Sequence, residues 1–214
     1  MLHNSIGYHP TENMLYGTRD AKVVRIFEDG RTEDVVPVEV DWSSLPVGGT
    51  FDDEGYYWTV RIVIYMGNPK HYLSKVDLRA GSERYGEVVE KRETNSVKEA
   101  KAFNDLAFTP GSSGYLYALA RGLKSQKTAV LYRLKLAAGV KAWEKVYETE
   151  LDKPFTDWGG MMGDSEGSVY GIQSDSGDIY KFPVNDRNGV EFLRSMSGKI
   201  VKDMARCHNA PAVA

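Results

Sequence analysis

One four-part unit recurs along this chain, and no other feature narrows its possible folds as far. Each unit opens with a short apolar segment, turns at Gly or Asn, enters a segment that ends on an aromatic residue, and then one that carries a basic residue between apolar neighbours. Four copies align, at residues 4–38, 48–95, 104–151 and 159–198, and a lone first element follows at 202–207. The closing aromatics are Tyr16, Trp58, Tyr117 and Tyr170, separated by 42, 59 and 53 residues. The basic residues are Arg25, Lys75, Arg133 and Lys181. Alternating apolar and polar positions mark strands with one buried face, and periods of this length suit four-stranded units packed radially.

The expectation is an all-β, single-domain β-propeller over residues 1–214, with five blades of four antiparallel strands and the fifth incomplete. The last inner strand falls at 202–207, but the three outer strands that would complete its blade have no counterpart before Asn4. A closed ring leaves no strand edge unpaired. An N-terminal truncation or a misplaced start codon is the simplest reading of the shortfall, and it would also have removed any signal peptide. The recurring aromatics are read as core, because blades stack through large rings, and the basic residues as solvated. Ser96-Val97-Lys98-Glu99 has the form of a capping box, which predicts a short helix over 96–102.

Composition sets the outer limits. With 42% apolar and 27% charged residues among 214, the chain is globular rather than disordered and long enough for one large all-β domain. A net charge of −3 gives no long-range attraction to phosphate backbones or anionic lipid, so neither nucleic acid nor a membrane is expected as a partner. There is no run of about 18 apolar residues to span a bilayer, and the start Met1-Leu2-His3-Asn4 lacks the pattern of a signal peptide. Cys207 is the single cysteine, which excludes an internal disulfide and weakly favours a reducing compartment.

The chemistry-bearing residues are sparse. Gly163-Asp164-Ser165-Glu166-Gly167 matches a nucleophile-elbow pattern, but it falls at the turn between first and second strands of a repeat, where a polar hairpin turn accounts for it. His3, His9, His71 and His208 have no metal-ligand spacing, and neither Asp52-Asp53-Glu54 nor the acids at 164–166 reproduce a calcium loop. No catalytic residue, metal or cofactor is assigned. Asp105 and Asp203 begin inner strands and are expected to line the central channel, where bonding to the backbone of neighbouring blades is their simplest role.

In an up-and-down blade, the loop between strands two and three shares a face with the connectors between blades. Trp42 and Trp158, each preceded by Asp, lie in or beside connectors, while 61–71 and 120–129 read as enlarged loops on the same face. Function on rigid scaffolds concentrates in such loops. The leading expectation is a non-catalytic binding propeller, for carbohydrate or protein, whose surface is carried by Trp42, Tyr65, His71 and Trp158. The alternative is a hydrolase or lyase at the mouth of the channel, with Asp105, Asp203 and His71 as its first candidates.

NSIGYHPTENMLYG, DWGGMMGDSEGSVYG, GDIYKFPV and the ending KDMARCHNAP resemble the repeats of an uncharacterised propeller-like family of fungi and bacteria. Chains of that family typically end in Asn-Asp-Gly-Ala-Arg-Cys followed by Asn-Ala-Pro. Asp203, Ala205, Arg206, Cys207, Asn209, Ala210 and Pro211 fit, whereas Lys202 and Met204 depart from it. The resemblance implies a propeller, suggests secretion, and carries no activity with it.

Overall fold

The computed structural model describes residues 4–20, 22–37, 46–66, 68–97, 99–112, 114–196 and 203–205. They form four antiparallel sheets, each of four strands in sequential order. The first holds β1 (Asn4–His9), β2 (Met14–Arg19), β3 (Lys22–Ile26) and β4 (Thr32–Pro37). The second holds β5 (Pro46–Phe51), β6 (Tyr56–Tyr65), β7 (Asn68–Asp77) and β8 (Val88–Thr94). The third holds β9 (Ala107–Phe108), β10 (Tyr115–Arg121), β11 (Thr128–Lys135) and β12 (Glu144–Glu150). The fourth holds β13 (Trp158–Gly163), β14 (Ser168–Gln173), β15 (Asp178–Pro183) and β16 (Glu191–Ser195), with one 3-10 turn at Arg187–Gly189.

Successive inner strands lie side by side, β1 by β5, β5 by β9 and β9 by β13, which sets the sheets radially as the blades of a propeller. The blade count corrects the expectation from sequence: the described residues form four blades, not five. Of the lone element expected at 202–207, only 203–205 is described, and it is in no strand. A single segment without outer partners has no ladder to join, and Asp203 is held instead through its side chain, which accepts the Ile6 N–H of β1 at 2.7 Å.

The core lies between blades. Tyr16, Phe51, Tyr57 and Val76 fill the space between blades one and two. Trp58, Leu73, Phe103, Leu116 and Tyr132 fill that between two and three. Tyr117, Leu119, Trp158, Met161 and Phe182 fill that between three and four. The four recurring aromatics are all buried, each directly across the ladder from a recurring basic residue: Tyr16 from Arg25, Trp58 from Lys75, Tyr117 from Arg133 and Tyr170 from Lys181. The basic residues are half-buried rather than simply solvated. Arg25 lies over the Tyr16 ring and Lys75 over Trp58, at 5.5 and 5.1 Å from the ring centres, so their charge is placed on the negative face of a ring.

Two local expectations fail for identifiable reasons. The described residues of 96–102 contain no helix. Ser96 Oγ donates to the Pro69 carbonyl at 2.7 Å instead of capping, and Ala100 bridges Gly122, drawing this connector out against the β10 edge. The segment 61–71 is a hairpin rather than a loop: β6 and β7 stay in register from Tyr56 opposite Asp77 to Tyr65 opposite Asn68. The β-branched run Ile62 to Ile64 favours that extension.

Candidate functional site

Two regions carry the chemistry, the propeller axis and the connector face. On the axis, Asp105 sits just ahead of β9 and is 1% exposed. Its carboxylate accepts the N–H groups of Gly49 in blade two (3.1 Å), its neighbour Leu106 (2.8 Å) and Met161 in blade four (2.5 Å). Asp203 holds the Ile6 N–H of blade one and the Met204 N–H, each at 2.7 Å, and its carboxyl hydrogen-bonds with that of Asp105. The close approach is possible because the neighbours lack side chains. A Cβ at Gly48 would collide with Asp105, and one at Gly160 would stand 2.7 Å from the backbone of Met204.

Burial and the nearby Asp203 charge push the Asp105 carboxyl well above the usual carboxylate range. Burial likewise pushes Asp203 up to about 7, although as a whole residue it is half-buried. Two carboxyls this close cannot both ionise cheaply, so one proton held between them is the stable arrangement. The Tyr57 hydroxyl, pushed well up by its own burial, donates to the Ser5 carbonyl beside the pair. With their oxygens committed to backbone N–H groups from blades one, two and four, the acids are equipped to join inner strands.

The connector face carries a hollow of about 550 Å³ between blades two, three and four. Its walls include Ile64 and Pro69 from the β6–β7 hairpin, Val97 and Ala100 from the connector, and Leu123 after β10. Ile64 and Leu123 are 73% and 61% exposed. Its polar side is Lys101, Asn104 and Asp157. Asp157 accepts from Asn104 Nδ2 at 2.5 Å and from the Trp158 N–H at 2.9 Å. Burial raises its pKa, against the lowering effect of those bonds and of the Lys101 and Arg121 charges.

Two of the four residues expected to form the binding surface, Trp158 and His71, are buried. Trp158 is 1% exposed, packed against Phe155 and Phe182 with ring centres 4.8 and 5.4 Å away. His71 is fully buried, stacked on Phe103 at 3.8 Å, and burial lowers its pKa to about 4, so it is neutral. These two are core groups and present no contact surface, because ring burial between blades outweighs their position near a connector. Tyr65 ends β6, but its side chain is outside the described set, and Trp42 lies outside the described residues. Ser165 occupies an exposed turn. Among the described residues, no group of three His, Cys, Asp or Glu side chains is disposed to hold a metal ion, and no helix is long and apolar enough to cross a membrane.

Sequence reasoning passed over Ile64, Leu123, Lys101 and Asp157. Their one legible signal was apolar residues in segments read as enlarged loops, at Ile62 to Ile64 and at Leu123.

This architecture defines a β-propeller with a hollow at its blade connectors. The chain belongs to the family described as a repeat of unknown function (DUF6923), whose model matches residues 1–201. No curated protein matches. Among solved structures, the chain is similar to a calcium-binding protein, regucalcin, from Agrobacterium tumefaciens strain C58, with TM-score 0.54 and 14% identity, covering 92% of this chain and 62% of that one. It is similar to a protein of unknown function from Bacteroides caccae, with TM-score 0.52 and 9% identity, covering 92% and 61%. Virginiamycin B lyase from Staphylococcus aureus matches with TM-score 0.48 and 12% identity, covering 87% and 53%. The chain thus spans between 53% and 62% of the length of these three proteins. At such identities the likeness is one of fold.

Proposed function

We propose that the protein is a non-catalytic binding module that receives an apolar segment of a protein partner in the connector-face hollow. The observation that carries this reading is the exposed aliphatic rim, Ile64 and Leu123, around a concavity of ligand-binding size. Exposed aliphatic side chains at a concave mouth lose water on binding, which favours association in proportion to the apolar area covered. Sugar binding relies on an open aromatic face, and the described side chains lining this hollow are aliphatic or polar. A hydrolase or lyase reading would require Asp105 and Asp203 to meet a substrate, and the bonds they already make to the inner strands weigh against it.

Selection of a phage-displayed peptide library on the folded protein tests this. Enriched peptides should carry an aliphatic anchor and should lose binding to Leu123→Asp and Ile64→Asp, variants at exposed positions that leave the core intact. Peptides that bind both variants as well as wild type would place the site elsewhere and overturn the reading.

A further inference from the structure

The β6–β7 hairpin outruns its blade. β7 pairs with β8 only as far as His71 opposite Thr94, and beyond that point Ser96 Oγ donates to the Pro69 carbonyl, which occupies that flank. On the other flank β5 begins at Pro46, opposite Arg61, and the Pro46 carbonyl accepts from Asn4 Nδ2 at 3.2 Å. Ile62 to Tyr65 therefore extend past β5. Alternate residues of a strand turn their N–H and C=O groups to opposite neighbours. At the first residue of β6 the Tyr56 carbonyl accepts the Asp52 N–H at 3.0 Å, so the even-numbered residues of the strand face the β5 side. The register to β7 is unbroken from Tyr56 to Tyr65, which carries this parity to Ile62 and Ile64. Pro69, with no N–H to give, stands opposite Ile64, in keeping with that parity. The N–H and C=O groups of Ile62 and Ile64 thus point off a free edge and have no partner among the described residues. Ile62-Val63-Ile64-Tyr65 carries none of the charges or prolines that blunt an edge.

We propose, resting on the binding reading above, that the occupant of the hollow is an extended segment of a partner protein, which pairs as an antiparallel strand with the free β6 edge at Ile62 and Ile64. Addition of a strand to a sheet edge is a recurring mode of peptide recognition, in which the backbone supplies affinity and alternate side chains supply specificity. Antiparallel pairing continues the order already present in the blade. Directly opposed residues of such a pair put their side chains on one face. The partner residues opposite Ile62 and Ile64 therefore bond to the edge through their backbone, and their side chains lie with Ile64 over the hollow it lines. The segment recognised is aliphatic at every second position, and those same positions donate the N–H groups.

The test is affinity selection, read by mass spectrometry, from a heptapeptide pool blocked at both ends, with Val, Leu or Ile alternating with Ser, Thr or Gln. The pool is prepared unmodified, N-methylated at the aliphatic positions, and N-methylated at the polar positions. Methylation of the aliphatic positions should lower retention at least about tenfold, equivalent to about 1.4 kcal/mol, while methylation of the polar positions should leave it within about twofold. Ile64→Pro removes an outward N–H, keeps an apolar side chain and is a substitution that a strand edge tolerates. It should lower retention of the unmodified pool likewise, whereas Ile64→Val should not. Equal retention of the three pools, with loss of all on Leu123→Asp, would overturn strand addition and leave the apolar reading standing. No retention of any pool would overturn both. A loss on methylating the polar positions instead would overturn the antiparallel pairing. A wild-type dimer in light scattering, broken by Ile64→Pro, would make a second copy of this chain the occupant and overturn the inference of a separate partner.

Discussion

At the scale of single residues, the group at three of the four hairpin entrances, in blades one, two and four, ties the turn to the core. Asp52 accepts the N–H groups of Glu54 and Tyr56 with one oxygen and the indole N–H of Trp58 with the other, at 2.8 Å. Asp164 repeats the device with Glu166, Ser168 and the Tyr170 hydroxyl. In blade one His9 stands in the same place: its Nδ1 accepts the N–H groups of Thr11 and Glu12, which fixes the tautomer and leaves Nε2–H to donate to the Leu78 carbonyl at 2.9 Å. The turn acid and the recurring aromatic are thus one unit. Trp58→Ala should cost ~3–5 kcal/mol, the range for emptying a large core position. Asp52→Ala should cost ~1–3 kcal/mol through the donors it strands. Because the two share a bond, the double variant should lose less than the sum. Urea denaturation of all four proteins measures this, and strict additivity would show that the indole bond contributes nothing.

At the scale of elements, the spacing of inner strands is set by what is missing from them. Gly48 faces Asp105 so closely that no side chain fits between β5 and β9. Gly48→Ala should therefore force these strands apart and cost ~1–3 kcal/mol, the usual penalty of overpacking. Hydrogen exchange should show the Gly49 amide, bonded to Asp105, losing protection first. Unchanged protection there would mean that the strands move together without strain. Much of this level was legible in the sequence. Tyr16, Trp58, Tyr117 and Tyr170 could be aligned with Arg25, Lys75, Arg133 and Lys181 because both sets follow the period-two alternation of strands, and the ladder pairs them one to one. What the sequence hid depends on contacts outside the local window. The Ser96 capping box lost to Pro69 and to the bridge between Ala100 and Gly122. The burial of His71 and Trp158 was set by Phe103 in one case and by Phe155 and Phe182 in the other, none of them on the same strand.

At the scale of the molecule, the axis closes through two acids that lie 98 residues apart in sequence. Asp105 reaches blades two and four, Asp203 reaches blade one and lies against Gly160 of blade four, and their mutual bond links the two sets. The position of Asp105 just ahead of an inner strand could be read from the repeat alignment, but not its pairing with Asp203, which exists only once the blades are arranged around the axis. The pairing has a pH signature with a definite sign. Both carboxyls have folded pKa values above the unfolded 3.8, Asp203 at about 7. Between those limits the native state binds more protons than the unfolded one, so the contribution of the pair to stability is fully present below about 4 and declines as pH rises towards 7. Asp77 acts in the opposite sense: Arg79 and Ser82 hold its carboxyl below the usual range, so its contribution appears above its unfolded value and is lost in acid. Total stability mixes such groups, and the pair is isolated by difference. Asp203→Asn keeps one oxygen to accept the Ile6 N–H, gives up the Met204 N–H at every pH alike, and removes the second titrating group. Measured by thermal melts at pH 5, 6, 7 and 8, the Tm of this variant relative to wild type should rise with pH, most steeply near pH 7. A difference that stays flat across that range would mean that the two acids do not share a proton.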